Sequence, residues 1–183
     1  LSTLDAVKLR PLPDQATRLL ETLDAPPRLV AHLRLVHDVA CELVEWLYPV
    51  LPFDRAAALF GAATHDIGKI VHRAELSGPG SEHEQAGYEL LLAQGVQEDY
   101  ARFARTHASW NSSDIRLEDL VVSLADKIWK AKRVPDLEQL IVNRIATAGG
   151  REKWQVFMEL DDLLDRLAAT ADRRLAYQAE HPV

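Results

Sequence analysis

Apolar residues recur along this chain at intervals of three and four, proline and glycine punctuate the runs, and no stretch alternates apolar with polar like a half-buried strand. That periodicity restricts the fold to helices packed on helices. A first helix is predicted from Asp14 to about Leu23. The Pro26-Pro27 pair opens a long second helix that Pro49 closes, because proline suits a helix's first turn and cannot continue one. Leu29, Leu33, Val36, Ala40, Leu43 and Leu47 form its inward stripe, which His37 borders. Asp54 caps a third helix through Ala56, Leu59, Phe60 and Ala63. Gly68 is expected to stop it near His65-Asp66.

Gly78-Pro79-Gly80 marks a loop between Ala74 and Ser81. Ser81 followed by Glu84 reads as a capping box, which places His83 in the first turn of a helix that Gly95 ends. From about Gln97 another helix carries Tyr100, Phe103, Ala104 and, close to its end, His107. A polar stretch from Ser109 to Asp114 precedes a helix over about Leu117 to Lys132, with Asp126 in its middle. Pro135 opens a helix that stops at Gly149-Gly150, and a final amphipathic helix runs from about Lys153 to Tyr177. No repeat, low-complexity tract or linker divides the chain. With 183 residues, 48% hydrophobic, the expectation is one all-α bundle of about seven or eight helices over residues 1–183.

A single cysteine rules out an internal disulfide framework and fits a reducing compartment. No apolar run approaches the ~18 residues that cross a bilayer. The opening LSTLDAVKLR lacks the basic-then-apolar layout of a secretory leader, so a cytoplasmic location and no membrane partner are expected. The net charge of -7 argues against general binding to nucleic-acid phosphates, though not against a small phosphorylated substrate.

Through these helices are strung His37, His65 with Asp66, His83, His107 and Asp126, and the centre reads THDIGK from Thr64 to Lys69. Imidazole and carboxylate bind divalent transition metals without cysteine. Adjacent helical residues point about 100° apart, so His65 and Asp66 share a pocket only where a helix end presents both. Asp66 has two oxygens and can bridge two ions, with His37, His65 and Asp126 completing one site and His83 with His107 the second. Two such ions activate a water near neutral pH and clamp phosphate oxygens, with no nucleophilic serine or cysteine.

THDIGK, preceded 28 residues earlier by His37 and followed by LADKIW, resembles the HD-domain metal-dependent phosphohydrolases over about Leu29 to Lys132. The resemblance implies an HD-domain-like helical bundle, with residues 135–178 packed on its core. It also implies metal ligands at His37, His65, Asp66 and Asp126. His83 and His107 stand where the intervening histidines of two-metal HD proteins stand, as in the HD-type diadenosine tetraphosphate hydrolases. The cofactors implied are therefore two divalent transition metal ions: iron, manganese, zinc, cobalt or nickel. EHEQAGYELL, from Glu82 to Leu91, lacks the GYP motif of the HD-GYP phosphodiesterases, so the likeness to that subfamily is less close.

The expected activity is hydrolysis of a phosphate ester or anhydride, of a nucleotide or similar small molecule, by a metal-activated hydroxide. Asp66 and Lys69 are the candidate catalytic groups, Asp66 as bridge and proton acceptor, Lys69 to neutralise phosphate or leaving-group charge, weighed equally against a surface lysine or an ion pair with Asp66. Arg34, Arg105 and Lys127 are weighed as phosphate contacts, against exposed helix faces. Cys41 reads as a small buried apolar residue, and Trp110 as a hinge or core residue more than a stacking surface. Di-iron oxygenase chemistry on the same ligand order, or a non-catalytic nucleotide-binding signalling module, are the alternatives.

Overall fold

The computed structural model describes residues 7–183, so the first six residues of the opening stretch lie outside it. Among the described residues all regular structure is helical. The helices are α1 (Asp14–Thr22), α2 (Pro27–Leu47), α3 (Arg55–Thr64), α4 (Glu82–Ala93), α5 (Glu98–Ala101), α6 (Phe103–Thr106), α7 (Leu117–Ile128), α8 (Pro135–Gly149), α9 (Lys153–Ala169) and α10 (Ala171–Ala179). Two 3-10 turns, Ile67–Ile70 and Arg73–Leu76, lie between α3 and α4. The prolines and Asp54 act where the sequence places them: Pro27 begins α2, Pro135 begins α8, and Asp54 accepts a hydrogen bond from the Ala57 amide.

The helix count exceeds seven or eight because two expected helices are each broken in two. The run from Gln97 is interrupted at Arg102, whose guanidinium takes the Asp99 carbonyl, the ladder acceptor for residue 103, and reaches the buried carboxylate of Asp119 at 3.1 and 3.2 Å. The final helix breaks at Thr170. There the carbonyl of Leu167 is taken by the Thr170 hydroxyl at 3.3 Å and by the Arg174 guanidinium, so the ladder bond to residue 171 is lost. Side chains bonding back to the backbone compete with helix in this way, and hydrophobic period does not report it.

Two apolar clusters make the core. The larger joins α2, α3, α7, α8 and α9, including Leu43, Leu47, Leu120, Ile128, Ile141 and Leu164. The smaller joins α1, the start of α2, the end of α3, α4 and the α5–α6 region, through Leu20, Leu29, Phe60, Ile67, Leu91 and Ala104. The end of α3 lies where they meet, since Ala62 belongs to the larger cluster and Ala63 to the smaller. Immediately beyond it come His65 and Asp66. No helix among the described residues is long and apolar enough to cross a membrane.

Candidate metal centre

Helix α3 ends at Thr64, with the His65 amide still bonded to Gly61. At Asp66 the backbone leaves helical geometry (φ -100°, ψ 11°) before tightening into the 3-10 turn. That bend turns both side chains of the adjacent pair toward one pocket. Gly68 then brings the turn against α4: a Cβ there would lie 1.9 Å from the His83 carbonyl oxygen, so only glycine permits the approach. His83 is thereby set opposite Asp66.

The start of α4 is built differently from the expected capping box. Ser81 makes no side-chain cap bond. The carboxylate of Glu75, from the second 3-10 turn, accepts the amides of Glu82 at 3.0 Å and His83 at 3.2 Å. The same carboxylate pairs with His83 Nδ1. Glu75 therefore caps the helix and orients its histidine together, and no local spacing rule in the sequence announces it.

Asp66 divides its oxygens. Oδ1 faces His83 Nε2 at 3.1 Å and His107 Nε2 at 3.4 Å. Oδ2 faces His32 Nε2 at 3.2 Å and His65 Nε2 at 3.8 Å. Asp126, from α7, joins the second group, with Oδ1 at 3.2 Å from His65 Nε2 and 3.6 Å from His32 Nε2. Two loci result, His32–His65–Asp66–Asp126 and Asp66–His83–His107, sharing one carboxylate, and the donor atoms of His32, His65 and Asp66 and of Asp66, His83 and His107 are close enough to hold an ion each.

Five of the six expected ligands converge in this way. His37 does not. It lies in the core, its ring nitrogens 3.9 and 3.7 Å from Cys41 Sγ. Five residues of α-helix rotate a side chain by 500°, a net swing of about 140°, so His32 and His37 cannot both face one pocket. His32 stands in the place expected for His37. Both are flanked at helical spacing by buried apolar residues, Leu29 and Leu35 for one, Leu33 and Ala40 for the other, so period alone does not choose between them.

The hydrogen positions follow from the outer contacts. His65 Nδ1 lies 2.9 Å from the Ala62 carbonyl and His107 Nδ1 3.0 Å from that of Ala104; a carbonyl only accepts, so each Nδ1 carries the hydrogen. His83 Nδ1 donates to Glu75, and His32 Nδ1 to the side-chain oxygen of Gln178 at 3.0 Å. With the imidazoles neutral, four Nε2 lone pairs face two carboxylates. Of these, His32 Nε2 and His83 Nε2 are buried without a hydrogen-bond partner. Acceptors turned on acceptors in a buried pocket could hold a cation, and nitrogen–carboxylate donors suit a divalent transition metal.

The electrostatics agree. Burial would raise the pKa values of both aspartates, yet the surrounding imidazoles hold them well below the usual carboxylate range, His65 and His32 foremost at Asp66, His32 and His65 at Asp126. Burial alone would lower His32, but the facing carboxylates of Asp126 and Asp66 carry it up to about 9. His107, buried beside His65, is pushed down to about 4. The pocket holds two carboxylates ionised and draws positive charge, which a proton or a metal can supply.

Lys69 Nζ lies 2.6 Å from Asp66 Oδ2, and Lys127 Nζ 3.0 Å from Asp126 Oδ2. Arg34 bonds the Tyr177 hydroxyl at 3.1 Å, and Arg105 lies over the Tyr88 ring, so neither reaches the cluster. Cys41 is buried and Trp110 packs against the larger core. A cavity of about 170 Å³ opens beside the first locus, lined by Arg28, His32, Lys69, Trp129, Lys130 and Gln178. Larger hollows of about 380 and 400 Å³ lie on other faces, without the histidine–aspartate cluster, and chemistry rather than size singles out the smaller one.

The model of the HD domain family matches residues 19–129, a span that contains every member of both loci. No match is found among curated proteins or among solved structures.

Proposed function

Because the chain belongs to the HD domain family, we propose that it is a metal-dependent phosphohydrolase that cleaves a phosphate ester or anhydride of a nucleotide or similar small molecule. The observation that carries this reading is the division of Asp66, one oxygen toward His83 and His107, the other toward His32 and His65. His32, His65, Asp66 and Asp126 would hold one divalent ion, and Asp66, His83 and His107 the other. Divalent ions so placed supply a water of lowered pKa and draw charge from phosphoryl oxygens.

The rest is done by this chain's own groups. Lys69 Nζ, beside Asp66 Oδ2, sets a positive charge where a phosphate or leaving oxygen would arrive, and can return a proton to it. Asp66 Oδ2 can accept the proton of the attacking water. Arg28 and Lys130, on the wall of the cavity, add positive charge at its mouth in a chain of net charge -7, which favours a small anionic substrate. Trp129, mostly buried, walls the cavity with an apolar surface.

The test begins with elemental analysis of protein purified without chelator. The metal-loaded protein is then assayed anaerobically for phosphate release from mono-, di- and dinucleoside phosphates. His65→Ala and Asp66→Ala are expected to lose metal and turnover together. Full turnover in either variant, or substrate-dependent oxygen uptake in place of phosphate release, overturns the proposal.

A further inference from the structure

The family match stops at residue 129, yet the hydrogen bond that orients His32 comes from the last helix, across 146 residues of sequence. Gln178, near the end of α10, places its side-chain oxygen 3.0 Å from His32 Nδ1. The other three clustered imidazoles take their outer partner locally: His65 and His107 from carbonyls of their own helical turns, His83 from Glu75. His32 sits in the second turn of α2, where every nearby carbonyl is committed to the helix, so its partner has to come from elsewhere.

Helix α10 also supports the ring's other side. Arg174 Nε donates to the Trp129 carbonyl at 2.6 Å, and the Trp129 ring meets His32 edge-on with centroids 4.9 Å apart. The segment is tied to α2 as well. Arg28 Nε donates to the His181 carbonyl at 2.8 Å and Arg28 Nη2 to that of Ala179 at 3.3 Å, while the Arg28 amide bonds the Pro182 carbonyl at 2.8 Å. A guanidinium on the open carbonyls at a helix's C-terminal end is favourable both by hydrogen bonding and by the helix dipole.

From this arrangement we infer that Gln178 is a positioning residue for the first locus. By accepting from Nδ1 it keeps the His32 Nε2 lone pair turned to Asp66 and Asp126, so occupancy of that locus depends on docking of α10. The second locus, whose histidines are oriented by Glu75 and by the Ala104 carbonyl, does not share that dependence. The inference rests on the metal-centre reading and extends it to residues beyond the family match.

The experiment compares metal content and affinity in the full-length chain, loaded with manganese or zinc and dialysed against metal-free buffer. Wild-type protein is expected to retain two ions. Gln178→Leu is expected to retain one, with affinity at the first locus lowered about 10- to 100-fold, the usual effect of losing an outer partner of a ligating histidine. Gln178→Glu keeps an acceptor oxygen and is expected to hold two ions. His83→Ala is the reciprocal control, losing the second locus and keeping the first. In the zinc-loaded protein a slowly exchanging His32 Nδ1 proton is expected by NMR in wild type and Gln178→Glu, and absent from Gln178→Leu. Gln178→Ala gives the same readouts without an added branched side chain, so a folding failure of the leucine variant leaves the test standing. Two tightly held ions in both apolar variants overturn the inference, whereas a wild-type chain that holds none overturns the metal-centre reading beneath it.

Discussion

Two imidazoles about 1.4 turns apart on α2 titrate in opposite directions. Burial takes His37 down to about 4, against a modest pull from Asp38, while at His32 the carboxylates of Asp126 and Asp66 outweigh burial and take it up to about 9. His37 is neutral in the fold and ordinary in the unfolded chain, so the unfolded state binds more protons between the two pKa values. Its contribution is fully present above about pH 6.5 and is withdrawn as the pH falls toward about 4. Removing the titrating group removes that sensitivity. His37→Leu is expected to lose up to about 3 kcal/mol less stability than wild type over that interval, measured by urea unfolding at stepped pH. Metal content should be unchanged; loss of metal in this variant would return His37 to the site.

At the scale of elements, α4 is placed by contacts from before it in the chain. Glu75 caps it and Gly68 lets the 3-10 turn lie against its first turns, which sets His83 near Asp66. A methyl group at residue 68 meets backbone, which cannot turn aside as a side chain can. Gly68→Ala is therefore expected to destabilise the fold by about 1–3 kcal/mol, a fall of roughly 2–4 °C in Tm for each kcal/mol at this size. It should also release the ion of the His83–His107 locus before that of the other. Calorimetry and metal titration check both; a variant with wild-type Tm and two ions would show that the close approach is dispensable. The breaks at Arg102 and Thr170 show why element boundaries were harder to read than elements. Hydrophobic period is continuous through both, and at each break a side chain takes a backbone carbonyl of the ladder, which the period does not register.

For the molecule as a whole, the two loci tie together α2, the end of α3, the start of α4, the end of α6 and α7, elements that span residues 32 to 126. Ions that bind this arrangement and not the unfolded chain stabilise it by mass action, about 2.7 kcal/mol for each site at a free metal concentration 100 times its Kd. Chelation is expected to lower Tm by roughly 5–10 °C per site so loaded, with recovery when metal is restored. A thermal scan unchanged by chelator would mean that the clustered imidazoles hold no ion that matters to the fold. The helical class, the adjacent pair at the end of α3, and His83, His107 and Asp126 were legible in the chain because period, proline, glycine and the THDIGK spacing are local properties. Which face of α2 turns to the pocket was decided by packing: His32 and His37 have equivalent neighbours along the helix, and only the placement of α3, α7 and α10 around it separates them. Glu75 and Gln178 belong to the same category, since a glutamate on a short turn and a glutamine 146 residues from its histidine gain meaning when the fold brings their oxygens to the right nitrogens. Orientation about a helix axis and contacts between distant segments are set by the summed burial of the whole core, and no single window of sequence contains that sum.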